Sequence, residues 1–190
     1  MSEPKSRFMQ KMKKVWPEIW DLIKCVVITA AVTFLVTRLL FPVAMVPTGS
    51  MENEIPTGSF VFCSKVSYWG DKTPQRGDVI LFRRSVVTND DTLYTKRIVG
   101  LPGETVEIKN GVTYINGEVY NETWLKETPN DENFGPYTVP TGNYFCMGDN
   151  RNNSYDCRYW EEHYIPESRI VAKCQFVVSE KGVGLIEDNH

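Results

Sequence analysis

Histidine is nearly missing from this chain: two in 190 residues, and one of them is the last. A histidine-rich metal site is therefore excluded. A Ser-His-Asp arrangement would have to use His163, and no G-x-S-x-G nucleophile elbow accompanies it. The five cysteines form no C-x-x-C pair, which disfavours a structural zinc site. There are no internal repeats, and Gly and Pro together number only 24, so collagen-like or low-complexity readings fail. No cofactor motif is present.

Charge is scarce in one place and uneven in the rest. Residues 1–41 carry seven Lys/Arg against three Asp/Glu, and residues 42–190 carry fourteen against twenty-one. A body with net charge −7 is a poor partner for nucleic acid, whose phosphates need a basic surface. The basic excess has its own meaning. Residues 1–21 read as a cytoplasmic basic tail holding Lys5, Arg7, Lys11, Lys13 and Lys14. Cys25–Thr37 then runs without a charge. Leu22–Phe41 spans 20 residues, about 30 Å as a helix, enough to cross a bilayer core. Lys24 and Arg38 stand near its ends, where long side chains reach the interface. The basic flank predicts a cytoplasmic N-terminus, a single-pass anchor, and an outer domain over residues 42–190. A cleaved secretory signal fits less well, because the leader is long and no A-x-A pattern follows the span.

The outer part reads as antiparallel β-structure, barrel-like or sandwich-like. Runs rich in Val, Ile, Phe and Tyr occupy 59–66, 78–83, 93–101, 105–108, 144–147 and 170–179. Asn110-Gly111 and Asn116-Gly117 suit tight hairpin turns. Residues 121–136 are polar and read as a loop or insertion. An exported domain in an oxidising space could pair some of Cys63, Cys146, Cys157 and Cys174. Packing as small buried hydrophobes is equally open, and the sequence does not choose.

Three segments carry the chemistry. Ser50 lies in Pro47-Thr48-Gly49-Ser50-Met51, where a fixed φ and a glycine can present a nucleophile. Lys96 lies in Tyr94-Thr95-Lys96-Arg97, a strand whose alternation sends Lys96 and Arg97 to opposite faces. A buried lysine loses its proton readily and can act as a base, whereas arginine cannot. Gly148–Arg158 is dense in hydrogen-bonding side chains. It lacks the Gly and Glu of an EF-hand loop, so a calcium reading fails.

In this order after one apolar span, P-T-G-S-M, R-G-D-V-I-L-F, Y-x-K-R-x-x-G-x-P-G-E and G-D-N-R-x-N-S-x-D-x-R resemble the bacterial type I signal peptidases. The resemblance covers roughly residues 15–180. It implies a membrane-bound Ser/Lys endopeptidase on a β-rich fold that removes signal peptides from exported preproteins, without a metal or cofactor. It makes Ser50 the nucleophile and Lys96 the general base. Thr48 becomes an oxyanion-hole residue, Ser154 an orienting hydroxyl, and Asp149, Asp156 and Arg158 supports of the site. The chain departs from the family's pattern at Asn53-Glu54, where Pro-Thr is usual, at Cys157 for serine, and at Glu161 for glycine.

The implied partners are A-x-A-type signal peptides, the lipid bilayer and the export machinery. A peptide added as a strand would offer alternate side chains to pockets, which gives the one-and-three spacing of such sites. Nine residues separate Phe41 from Ser50, at most about 30 Å extended, which keeps the nucleophile close to the membrane. Phe60, Phe62, Tyr68 and Trp69 either dip into that interface or fill the strand core. Ile98, Val99, Tyr144 and Phe145 are the expected walls of a dry lysine pocket. A non-catalytic tethered module and a self-cleaving Ser/Lys regulator are the competing readings.

Overall fold

The computed structural model describes residues 3–84 and 92–188, with side chains described from residue 15 onward. Two compact units divide at Leu40.

The first unit is one helix, α1 (Glu3–Leu40). Its stretch Val15–Leu40 has a mean hydropathy of 2.1 and is exposed along its length. Twenty-six residues make about 39 Å of helix, long enough to cross a hydrocarbon core. The helix begins earlier than the expected span and runs through the basic leader, tolerating Pro17. It ends just before Phe41-Pro42, where proline drives the residue ahead of it out of the helical region.

The second unit is built from strands and single 3₁₀ turns, with no longer helix among its described residues. The strands are β1 (Val43–Val46), β2 (Ser59–Ser64), β3 (Val79–Arg83), β4 (Leu93–Gly100), β5 (Thr105–Lys109), β6 (Val112–Ile115), β7 (Glu118–Val119), β8 (Phe134–Thr138), β9 (Asn143–Met147), β10 (Ile165–Pro166), β11 (Ile170–Ser179) and β12 (Gly182–Leu185). The larger sheet has the order β1-β2-β11-β3-β4-β9-β10, with β12 paired to β11. The smaller is β7-β6-β5-β8. Every pairing is antiparallel.

Burial explains which strands lie where. Val79–Phe82 and Thr95–Gly100 are buried without alternation, as central strands covered on both faces must be. β2 alternates instead: Ser59, Val61 and Cys63 point inward, while Phe60 and Phe62 point to solvent. Both Asn-Gly pairs turn hairpins with positive φ at each residue, 49° and 77° at Asn110-Gly111 and 52° and 87° at Asn116-Gly117.

Two expectations need revision. The polar stretch 121–136 is irregular only as far as Asn133, and Phe134 opens β8, which pairs with β5. β1, too short and too mixed to stand out, closes one edge of the larger sheet.

Two buried clusters result. One centres on Phe82, Phe145, Met147 and Trp160, the other on Met51, Val61, Leu81 and Cys174. Trp160 meets Phe82 and Tyr94 edge-on, with ring centroids 6.2 and 5.9 Å away. Truncating a fully buried tryptophan removes both its transfer energy and its packing. Trp160→Ala is expected to lose about 3–5 kcal/mol in a urea unfolding titration.

Candidate active site

Two strands position the candidate groups Ser50 and Lys96. β1 ends at Val46, and Pro47-Thr48 lead into the 3₁₀ turn Gly49–Met51 that carries Ser50. β4 carries Lys96 at the middle of the sheet, opposite Ile80 of β3. Met51 and Ile55 are fully buried and anchor the turn from below. Lys96 Nζ stands 2.5 Å from Ser50 Oγ, and both residues are buried. Thr48 Oγ1 is 3.4 Å from the same hydroxyl.

Burial pushes the Lys96 amine below the ordinary lysine range, because the charged form has lost its water. The nearby carboxylates of Asp156 and Asp149 oppose this but do not reverse it.

The other expected site residues form a scaffold around the pair. Ser154 Oγ donates to Asp156 Oδ2 at 2.7 Å. Asp156 also accepts from the Gly148 N–H and receives Arg158 through two nitrogens, at 2.9 and 3.0 Å. Burial alone would raise the Asp156 carboxyl. The Arg158 guanidinium, the Gly148 N–H and the Ser154 hydroxyl together hold it below the usual carboxylate range. Asp149 grips Arg97 side-on, with contacts of 2.9 and 2.8 Å. Arg97 is turned to the face opposite Lys96, as strand alternation requires, and there it also donates to the Gly77 and Glu187 carbonyls.

The sequence reading missed a clamp. The Asn150 N–H donates to the Ser50 carbonyl at 3.1 Å, and Asn150 Nδ2 donates to the Gly49 carbonyl at 2.9 Å. The loop that follows β9 thus grips the backbone of the nucleophile turn. Gly148 makes the approach feasible, since a Cβ there would overlap both Ser154 Oγ and the Ser50 carbonyl oxygen. Arg151 is held by Glu122, with both contacts at 2.5 Å, and donates to the Gly148 carbonyl. Arg151 invited a carboxylate partner, but nothing in the sequence pointed to Glu122, in the stretch taken for an insertion.

The departures from the family pattern also find places. Asn53 sits at φ 99°, which a proline could not adopt, and its amide donates to the Trp124 carbonyl. Glu54 lies 4.0 Å from Arg97 and accepts from the Glu187 N–H.

A cleft of about 370 Å³ opens beside the pair. Its lining includes Met45, Pro47, Thr48, Leu93, Tyr94 and Tyr155. The expected walls Ile98, Val99, Tyr144 and Phe145 are all buried in the larger cluster, which also holds Cys146 and Cys157, and none of them lines this cleft. A more voluminous cleft of about 600 Å³ contains neither Ser50 nor Lys96, and its Lys173 is already held by Asp78 and Asp188. No grouping of His, Cys, Asp and Glu among the described residues could hold a metal.

A serine hydroxyl against a desolvated amine, beside an open groove, is suited to acyl transfer from a peptide. Known proteins point to that class, the serine peptidases. The family described as "Signal peptidase, peptidase S26" matches residues 19–179. Signal peptidase I P of Bacillus subtilis subsp. natto is 38% identical over 158 residues, 78% of this chain and 83% of that protein. Signal peptidase I of Bacillus amyloliquefaciens is 36% identical over 188 residues, 92% and 93%. A solved signal peptidase I from Enterococcus faecalis V583 is 32% identical and covers 55% of this chain and 98% of its own, with a TM-score of 0.45. The chain belongs to the signal peptidase family of serine peptidases, which act on the signal peptides of preproteins.

Truncating the Asn150 side chain frees one carbonyl of the Ser50 turn, that of Gly49, while the backbone N–H keeps its bond to the Ser50 carbonyl. At about 1 kcal/mol for one neutral hydrogen bond, Asn150→Ala is expected to slow acylation of Ser50 by roughly fivefold. Single-turnover acylation with an excess of activated ester checks this, alongside an unchanged KM.

Proposed function

We propose that Ser50 and Lys96 form the catalytic dyad of this signal peptidase, cutting preproteins after A-x-A-type sites on the outer face of the membrane. The 2.5 Å approach of a desolvated amine to a hydroxyl is the observation that carries the proposal. A non-catalytic module would have no use for a buried, unpaired-by-carboxylate amine aimed at a serine.

In this mechanism neutral Lys96 takes the Ser50 proton as Oγ attacks the scissile carbonyl. The Thr48 hydroxyl and the Ser50 N–H face the developing oxyanion. Such a donor is typically worth about 10²–10³ in rate. The Lys96 ammonium then protonates the leaving amine, and water releases the acyl group. Ser154 donates its own proton to Asp156, which leaves its oxygen able to accept from the lysine amine and steer it. Asp149, Asp156 and Arg158 support the loop. The substrate lies extended in the cleft, with small residues at the first and third positions before the cut.

Sign matters for the pH dependence. Activity needs the neutral amine, so kcat/KM rises with pH along a limb whose midpoint lies below the ordinary lysine value of 10.5. The amine's folded pKa is lowered, so the folded chain binds that proton less tightly than the unfolded one. Stability therefore rises with pH between the folded value and 10.5. Lys96→Met removes both effects. It is expected to abolish cleavage of a synthetic preprotein in detergent while leaving the thermal midpoint at neutral pH unchanged or higher. Cleavage that persists in Lys96→Met or Ser50→Ala would refute the dyad.

Membrane placement rests on a second observation. Val43 and Met45 on β1, Phe60 and Phe62 on β2, Phe176 on β11 and Leu185 on β12 are all exposed. Register joins them: Val43 pairs with Phe62, Met45 with Phe60, Phe62 with Phe176, and Phe176 with Leu185. The result is one continuous apolar sheet face. It supports contact with the bilayer, while the apolar helix supports a single-pass anchor and its basic leader a cytoplasmic N-terminus; delivery of substrate by the export machinery is part of the same proposal. Phe60→Ser with Phe62→Ser is expected to weaken vesicle binding of residues 42–190 and to slow cleavage of membrane-inserted preprotein. Cleavage of a short soluble peptide should be unaffected.

A further inference from the structure

Cys63 and Cys174 face each other across the β2–β11 seam. They are direct register partners, with Sγ atoms 3.0 Å apart and both side chains buried. They are 111 residues apart in the chain. Cys146 and Cys157 also lie together, but in the other cluster, where the Cys146 N–H donates to Cys157 Sγ.

The seam has a particular position. β1 and β2 carry the turn that presents Ser50. β4, paired to β3, carries Lys96. β11 lies between β2 and β3, so among the described residues the sheet path from nucleophile to base runs across β2–β11, β11–β3 and β3–β4. β11 shifts register between Cys174 and Phe176, so the ladder is interrupted beside the cysteine pair.

We propose that Cys63 and Cys174 close a disulfide as the domain folds outside the cytoplasm, stapling the nucleophile half of the sheet to the base half. This rests on the outward placement of residues 42–190 proposed above, since a reducing compartment would leave the pair open. Closure is thiol–disulfide exchange with a small-molecule or protein disulfide. The thiolate of one cysteine attacks that disulfide, and the second thiolate then displaces the mixed intermediate. The two thiols give up two protons and two electrons, and the oxidant leaves as two thiols. Exchange takes place before the sheet is complete. In the folded state the two sulfurs share a hydrogen bond in a buried site, which raises the Cys174 thiol well above its ordinary range and leaves little thiolate to react. The bond is thus a permanent staple, not a reversible switch.

The test is refolding of the full chain in detergent in a buffer of oxidised and reduced glutathione, followed by intact mass and peptide mapping under non-reducing conditions. A single Cys63–Cys174 crosslink is expected, with Cys25, Cys146 and Cys157 free to alkylate after unfolding. Cys63→Ala with Cys174→Ala should retain kcat on a soluble peptide but inactivate several-fold faster on heating, and the wild type should match it when refolded with excess reductant. Two free thiols at positions 63 and 174 after oxidative refolding would overturn the proposal, as would a crosslink to Cys146 or Cys157. Preprotein cleavage by the same sample reports separately on the dyad. Cleavage without the crosslink sinks only the staple, and the crosslink without cleavage sinks only the dyad.

Discussion

Water exclusion around a single amine governs this structure. A lysine holds its proton in water and can act as a base near neutrality only where solvation of its charge is lost. That places severe demands on the surroundings. Lys96 must sit in a strand buried on both faces, next to a hydroxyl fixed by a rigid turn, and still open onto a groove wide enough for a peptide. β4 meets the first demand through unbroken burial from Thr95 to Gly100. The turn at Gly49–Met51 meets the second, anchored below by Met51 and Ile55 and held from the side by Asn150.

The same desolvation makes nearby charges costly unless they are paired. The site answers with three arginine–carboxylate pairs around the proposed dyad: Arg97 with Asp149, Arg151 with Glu122, and Arg158 with Asp156. Each guanidinium is also bonded to backbone carbonyls, which ties separate loops to one another. Buried ion pairs of this kind add little net stability, but removing one partner leaves an uncompensated charge. Their value here is geometric. They fix the loop after β9 so that Asn150 reaches the nucleophile turn and Ser154 faces Asp156.

Much of this was legible in the sequence because it depended on local rules. Alternation along Tyr94–Arg97 separates Lys96 from the structural Arg97, and the Asn-Gly pairs announce their hairpins. The strands of the core showed as β-branched and aromatic runs. What stayed hidden was long-range. β1 is four residues long and is recognisable only by its pairing with β2. Glu122 looked like part of a solvated insertion, and only the fold brings it to Arg151. The groove beside the amine was hidden too, because it is lined largely by residues of β1 and the start of β4, which only the fold brings together. Asn150 sat in a recognised motif, but its side chain and its N–H both reach backbone carbonyls of the Ser50 turn, contacts that no spacing encodes.

The strand order has an implication for biogenesis. β11 begins at Ile170, close to the end of the chain, yet it is inserted between β2 and β3. Within the sheet, the two halves of the site therefore stay unjoined until β11 takes its place between them. A chain made only as far as β10 would hold Ser50 and Lys96 in separate groups of strands, with no sheet to set the 2.5 Å approach between them.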